Sequence, residues 1–510
     1  MSVPCVTTMP VAPSAISCSI LSASAARSVK PMSGLGSWRK SCVTRSISSS
    51  GRVASRSAAS SFGTTAPWAL AAVIAIVPPS VSIDNLGLSV TAGTLCGLSW
   101  FYRFMRRKTL LTLVTVFGLV ASPVVASAGQ SGGWEGTWAT AVHEANEGFV
   151  PNWSVEGFAN QTVRQVVRVS QGGPAIRIQL SNRYGSSPIA ITGATIGRAG
   201  TGAAVSDLRP LSFNFKKSAV VPAGGQIASD IALLPVRPLE SLTVTLYFAK
   251  PTGPVTYHGL GLATAYRAAG DHQNDLDGTA FTEKSESWYL LSGVQVLDPS
   301  PQRDVVVAFG DSITDGAGIA ADTNDRYPDE LAERVRGRFG VLNQGIGGNQ
   351  VLTDTDFAGE AAVKRFKADV LDQPKVRTVI ILEGINDIGM SDIEFPGVPP
   401  RPLVTPQQLI DGHRTLIRQA RAKGLRVIGA TLLPYKGAAY YTERGEKVRD
   451  EVNNWIRTSG EYDAVVDWDK VMADPNDADL MNPAYDIGDR LHPNAAGYHA
   501  MAAAIDLNAL

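Results

Sequence analysis

Ser312, Asp489 and His492 carry the three functional groups that acyl transfer from an ester requires. A serine hydroxyl attacks the carbonyl, an imidazole takes its proton and returns it to the leaving alcohol, and a carboxylate holds the imidazole tautomer and stabilises the imidazolium. Ser312 stands in Gly310-Asp311-Ser312-Ile313-Thr314, and the other two in Asp489-Arg490-Leu491-His492-Pro493. Two further segments offer donors for a developing oxyanion. Asn343-Gln344-Gly345-Ile346-Gly347-Gly348-Asn349 is Gly-rich, so its backbone amides can approach a substrate closely. Asn386, in Gly384-Ile385-Asn386-Asp387, can present a side-chain amide. The expected oxyanion donors are the N–H groups of Ser312 and Gly348 and the amide of Asn386.

Taken singly, each piece has a plainer reading. A serine after a strand is more often a helix cap, a Gly-rich stretch is usually only a turn, and an Asp and a His three apart can simply cap a helix. Position is what joins them. Val305 to Phe309 is a continuous apolar run, as expected of a strand buried on both faces. Val341 and Leu342 begin a second strand, Thr378 to Leu382 a third, Arg426 to Leu432 a fourth and Ala464 to Asp467 a fifth. Helical spacing falls between them, at Tyr327 to Phe339, Phe357 to Leu371, Pro406 to Lys423 and Glu443 to Thr458, and after them at Pro493 to Ile505. Alternating strands and helices predict a parallel, doubly wound sheet over residues 301–510. Ligands of such sheets bind beyond the carboxyl ends of the strands, and the four segments all fall there.

The segments GDSIT, NQGIGGN, GIND and DRLHP resemble, in order and spacing, the four blocks of the SGNH/GDSL hydrolases. The resemblance covers about 200 residues, from Asp304 to the C-terminus. It implies a flavodoxin-like fold, no metal or organic cofactor, and defining residues Ser312, Gly348, Asn386 and His492, with Asp489 completing a triad. The G-x-S-x-G elbow of the α/β-hydrolases is absent around Ser312.

Residues 129–300 have another rhythm. Thr162 to Ser170, Ala175 to Leu180, Ile189 to Ile196, Leu242 to Phe248 and Trp288 to Leu297 are strand candidates punctuated by Gly and Pro. They predict an all-β sandwich or jelly-roll-like domain, joined to the second domain at Asp298-Pro299-Ser300-Pro301. WEGTWATA, FANQTVRQVVRVS and IRIQLSNRYG resemble the β-domain that precedes the catalytic domain in a group of secreted bacterial SGNH hydrolases.

The chain has 510 residues, 44% of them hydrophobic and 18% charged, with zero formal net charge. That average hides an asymmetry. Residues 1–104 hold eight Lys or Arg, one acid (Asp84) and all four cysteines. Arg106-Arg107-Lys108, the apolar run Thr109 to Val120 and Ala126-Ser127-Ala128 have the form of a secretory signal peptide over 105–128. Residues 1–104 are therefore expected to be a non-native or disordered extension, with translation starting at Met105. An organelle transit peptide is the rival reading of this leader. Residues 129–510 carry 35 basic and 45 acidic side chains, a net charge near −10, which disfavours nucleic acid as a partner. With no cysteine there, a thiolate metal site, a disulfide and a cysteine nucleophile are excluded from the two domains.

Other clusters invite chemistry without specifying it. His258, His272 and Asp271 lack a third ligand at metal spacing and are expected to be polar loop residues. Asp474, Asp477 and Asp479 lack the Gly and terminal Glu of an EF-hand loop. Trp134, Trp138, Trp153 and Trp288 are expected in a sandwich core rather than on a sugar platform. The expected protein is a secreted or periplasmic serine esterase acting through an acyl-enzyme on Ser312. Its substrates would be short acyl or acetyl esters, small or borne on a polysaccharide, with no stable membrane anchor and no set oligomeric state. The alternatives are a lipase, arylesterase or thioesterase on the same machinery, or a carbohydrate-binding or surface-interaction protein with a vestigial hydrolase domain.

Overall fold

The computed structural model describes residues 133–298, 304–393 and 401–510. The expected extension, signal peptide and cleavage site, and most of the expected linker, lie outside the described residues.

Residues 133–298 form two antiparallel sheets and two short strand pairs. The first sheet has β1 (Trp134–Ala139), β14 (Leu291–Leu297), β3 (Ile176–Ser181) and β8 (Gln226–Ala228) in that order. The second runs β12 (Glu283–Ser285), β11 (Ala265–Ala269), β2 (Gln161–Arg168), β9 (Ser241–Phe248), β5 (Gly193–Ala199) and β6 (Val205–Pro210). The pairs are β4 (Ile189–Ile191) with β7 (Ala219–Val221), and β10 (Tyr257–His258) with β13 (Trp288–Tyr289). Ile176, Ile178 and Leu180 alternate along β3, and Leu242, Val244 and Leu246 along β9; all six join one buried core, the packing expected where two sheets face each other. Trp138, Trp153 and Trp288 are buried in that core.

Two predicted strands are each broken in two. Ile189 to Ile196 gives β4 and β5, which pair with different partners. Trp288 to Leu297 is interrupted at Leu290, whose φ is +59°. The interruption lets the Leu290 N–H donate to Thr256 O while its carbonyl accepts from Ser181 N, tying the small pair to the first sheet.

From residue 304 the sheet is parallel, in the order β16 (Gly340–Gly345), β15 (Val305–Gly310), β17 (Val376–Leu382), β18 (Arg426–Ala430) and β19 (Ala464–Val466). This is the flavodoxin-like 2-1-3-4-5 order, whose switch point lies between the first and third strands. Every residue of β15 is buried. The helices are α1 (Ser312–Asp315), α2 (Tyr327–Val335), α3 (Ala362–Phe366), α4 (Ile385–Asp392), α5 (Pro406–Ala422), α6 (Glu443–Thr458), α7 (Trp468–Met472) and α8 (Ala495–Ala503). In α5, Thr405 and Gln408 close a capping box, and Leu409, Leu416, Ile417 and Ala420 form the buried stripe. The helix expected from Phe357 starts only at Ala362, because the Asp354 carboxylate takes the Ala361 N–H and Thr355 pairs with Gly359 in a turn.

The two layers share a seam. Val341 N donates to Ser170 Oγ, which donates to Thr137 O. Lys375 Nζ meets the buried Glu135 carboxylate at 2.8 Å. Ala139 and Leu262, from the β-sandwich part, pack into the core of the parallel sheet. Among the described residues no helix is long and apolar enough to cross a membrane.

Candidate active site

β15 delivers Ser312. Its last residue, Gly310, passes so close to β17 and α1 that a Cβ would lie 2.4 Å from Leu382 O and 2.1 Å from Thr314 Oγ1. The chain turns there into α1, and Asp311, not Ser312, is the cap: its Oδ1 accepts the Ile313 N–H at 2.9 Å. Ser312 is the first helical residue, so its N–H is one of those that a helix's first turn leaves without an internal partner. The cap reading of Ser312 is thereby replaced, and its hydroxyl is left to another partner.

That partner is His492. Ser312 Oγ and His492 Nε2 are 2.9 Å apart, and His492 Nδ1 is 2.6 Å from Asp489 Oδ2. The other Asp489 oxygen accepts the N–H groups of Leu491 and His492, both at 2.9 Å. Partial burial alone would push the Asp489 carboxyl up, but the His492 hydrogen bond and charge and these two amides outweigh it and hold it below the ordinary carboxylate value. Neither residue caps α8; Asn494 does, accepting from Gly497 N. The 489–492 segment is free of that duty and is shaped around the imidazole.

Ser312, Gly348, Asn386 and His492 line one cavity of about 320 Å³. Gly348 has φ +76°, and a Cβ there would lie 2.9 Å from the Phe357 ring, so only glycine gives this turn. Asn386 sits in the first turn of α4, after β17. Its Nδ2 donates to Asn349 O at 3.0 Å and its Oδ1 accepts from Tyr440 Oη at 3.2 Å. These two bonds fix the amide and leave one Nδ2 hydrogen unused. All five sequence-predicted site residues are thus brought together.

Beneath the nucleophile lies a buried charged cluster. Burial pushes the Asp311 carboxyl up to about 6, opposed by the Ile313 N–H and the nearby His492 and Arg365 charges. Burial and the Asp311 charge also push Glu383 up. Arg365 is the hub: it reaches Gly310 O and Gln344 O at 2.8 Å, Asn349 Oδ1 at 2.8 Å, Asp369 at 3.0 Å and Glu383 at 3.2 Å. It therefore bonds the backbone of two of the strand ends that carry the site and the side chain of the residue after Gly348.

Several contributors were not expected from the sequence. Phe149 and Leu260, from the β-sandwich part, line the cavity beside Met390, Tyr440 and Leu491. Phe149 packs edge-on against Phe357, with ring centroids 5.7 Å apart. No local signal marks either residue; only contact with a segment some 50 to 200 positions away gives them a role. His258 is not the polar loop residue expected: it is buried in β10 and bonds Asp315. His272 does lie in a loop, paired with Asp275 at 2.7 Å. Asp477 is held by Lys436 at 2.7 Å, and Asp474 caps the turn at Asn476.

Residues 308–500 match the model of the GDSL-like lipase/acylhydrolase family. This part of the chain is a GDSL-like lipase/acylhydrolase domain, and the protein is a hydrolase of ester bonds. No curated protein matches the chain. Among solved structures, an acetyl xylan esterase from Geobacillus stearothermophilus is 21% identical, over 40% of this chain and 93% of that one, with a TM-score of 0.31. Est24, a carbohydrate acetylesterase from Sinorhizobium meliloti, is 15% identical over 39% and 94%, with a TM-score of 0.31. An aryl esterase from M. smegmatis, in inhibitor-bound form, is 17% identical over 39% and 95%, also with a TM-score of 0.31.

Proposed function

We propose that the protein is an extracytoplasmic serine carboxylic-ester hydrolase that acts on short acyl or acetyl esters, including those borne on carbohydrates, through an acyl-enzyme on Ser312. The observation that carries the reading is the continuous chain Ser312 Oγ–His492–Asp489, at 2.9 and 2.6 Å, opening into the cavity that Gly348 and Asn386 also line.

His492 Nε2 takes the hydroxyl proton as Oγ attacks the ester carbonyl. The N–H groups of Ser312 and Gly348 and the free Nδ2 hydrogen of Asn386 receive the oxyanion; one such donor is typically worth about 3–4 kcal/mol of barrier. The imidazolium, steadied by Asp489, then protonates the leaving alcohol. Water, deprotonated by the same imidazole, attacks the acyl-enzyme and releases the acid. Apart from that water, every step uses groups of this chain.

The short-acyl preference rests on the cavity. Its volume is at the low end of small-molecule sites, which run from about 300 to 1,000 Å³. Phe149 and Leu260 wall the side of the Gly347–Gly348 turn, where a Cβ on Gly347 would already be 3.3 Å from the Phe149 ring. A panel of p-nitrophenyl esters of rising chain length tests this. Acetate to butyrate should give the highest kcat/KM, and Phe149→Ala should raise the rate on octanoate relative to acetate by about tenfold, the low end of what one methylene is worth in an apolar pocket. Best activity on long chains in the unaltered protein would defeat the preference.

The extracytoplasmic location rests on the basic, apolar and small-residue segments over 105–128. Protein recovered from outside the cytoplasm should begin near Gly129. Any peptide from residues 1–104 in that fraction would refute both the cleavage and the start at Met105.

A further inference from the structure

His258 ends β10, in the β-sandwich part, and is buried. Its ring lies on Trp288, with centroids 5.5 Å apart. Its two nitrogens face different partners. Nδ1 is 2.7 Å from the carbonyl oxygen of Ala141; a carbonyl only accepts, so Nδ1 carries a hydrogen and donates it. Nε2 is 2.9 Å from Asp315 Oδ1. An ionised carboxylate also only accepts, so one proton is shared between imidazole and carboxyl. Asp315 is equally buried, and its second oxygen accepts the Gly347 N–H at 3.0 Å.

Asp315 therefore touches two of the three oxyanion donors at one remove. It is the last residue of α1, whose first residue is Ser312. Through Oδ2 it holds the residue immediately before Gly348. The approach of α1 to this turn is close: a Cβ on Gly345 would lie 2.2 Å from Asp315 N. Arg326 closes the assembly, donating to Asp315 O at 2.9 Å and to Gly261 O in the β-sandwich part.

A buried ion pair is weak evidence of added stability, since apolar side chains of similar volume often pack as well or better. An apolar pair could not accept the Gly347 N–H, however, and that bond is the one that bears on the site.

We propose that the buried His258–Asp315 pair is a positioning device for the oxyanion hole, through which the β-sandwich part holds the Gly347–Gly348 turn at its working distance from Ser312. The proposal rests on the hydrolase reading above. Neither residue touches substrate. Asp315 sets the turn, and His258 fixes the orientation of Asp315 and supplies the compensating proton. The β-sandwich is then a component of the catalytic site, beyond any part it has in recognising what carries the ester.

The test compares Asp315→Ala, Asp315→Asn and His258→Phe with the unaltered protein and with Ser312→Ala. p-Nitrophenyl acetate is the substrate and phenylboronic acid the inhibitor; the latter adds to the serine as a tetrahedral anion. Rates are divided by the serine titrated with a fluorophosphonate, so that only folded sites count. Asp315→Ala should lower kcat per site by about tenfold to a hundredfold, less than the roughly 10²- to 10³-fold cost of losing an oxyanion donor outright because the donor is displaced rather than removed, with KM changed less than about twofold. Boronate affinity should fall by the same factor. His258→Phe keeps a ring against Trp288 but removes both nitrogens, and should fall in the same direction in both readouts. Asp315→Asn can still accept from Gly347 through Oδ1 and donate Nδ2 to a neutral His258, and should keep kcat within a few-fold. An Asp315→Ala protein with unchanged kcat per site overturns the proposal, as does a loss of kcat without loss of boronate affinity. Loss of titratable serine in all three variants would make the pair a folding element and overturn it as well. Survival of hydrolysis in Ser312→Ala is a separate failure, that of the hydrolase reading itself.

Discussion

Ser312→Ala should lower kcat on p-nitrophenyl acetate by about 10⁵ to 10⁶, the scale seen when the serine of a serine–histidine–aspartate triad is removed. The effect is large because every covalent step passes through this one oxygen. His492 loses its proton donor at 2.9 Å, and the carbonyl carbon then meets no nucleophile except water. KM should move little, since the hydroxyl contributes little to the apolar walls that receive the acyl group. Stability should also hold. Ser312 does not cap α1, a role that belongs to Asp311, and its hydroxyl has no backbone partner, so the change removes one partly exposed side-chain hydrogen bond worth about 1 kcal/mol. Kinetics and a thermal melt on the same preparation check this. A protein that melts normally and still turns over at more than a hundredth of the original rate would refute the nucleophile.

The second large effect is at Asn386. Asn386→Ala should lower kcat by about 10²- to 10³-fold, as loss of one preorganised oxyanion donor does elsewhere, with KM nearly constant. The amide is held before substrate arrives, by Tyr440 on its oxygen and Asn349 O on its nitrogen. Its free hydrogen therefore needs no reorganisation to meet the oxyanion. Removing it strands the buried Asn349 carbonyl and leaves the Tyr440 hydroxyl without this partner, so a loss of stability of about 1–3 kcal/mol should accompany the kinetic defect. Steady-state kinetics with chemical denaturation separates the two effects. A kcat within threefold of the original would remove Asn386 from the oxyanion hole.

The site was legible in the sequence because a parallel sheet gathers its strand ends on one edge. Ser312, Gly348 and Asn386 follow β15, β16 and β17, three neighbours in the sheet, and finding the strands was enough to bring them together. The Asp489–His492 pair needed its three-residue spacing and its place between the fifth strand and the last helix. Hidden from the sequence was everything that depends on how the β-sandwich part meets the sheet. Phe149 and Leu260 carry no periodic or chemical mark, and they reach the cavity only because the β1 edge and β16 share a seam. Asp315 directly follows a recognised segment, yet its partner His258 is 57 positions earlier. From spacing alone that histidine looked like loop polarity. Strand breaks were hidden for a related reason: Leu290 adopts a left-handed conformation although leucine has no intrinsic preference for it, because tertiary hydrogen bonds to Thr256 and Ser181 hold it there.

The central claim is that Ser312 is a nucleophile activated by His492. It is tested most directly by treating the unaltered protein, Ser312→Ala and His492→Ala with a fluorophosphonate and mapping the adduct by peptide mass spectrometry. The expected result is one adduct, on Ser312, formed rapidly in the unaltered protein, absent from Ser312→Ala and slowed by several orders of magnitude in His492→Ala. Rapid labelling of a different residue, or full hydrolytic activity in a protein that takes up no label, would contradict it.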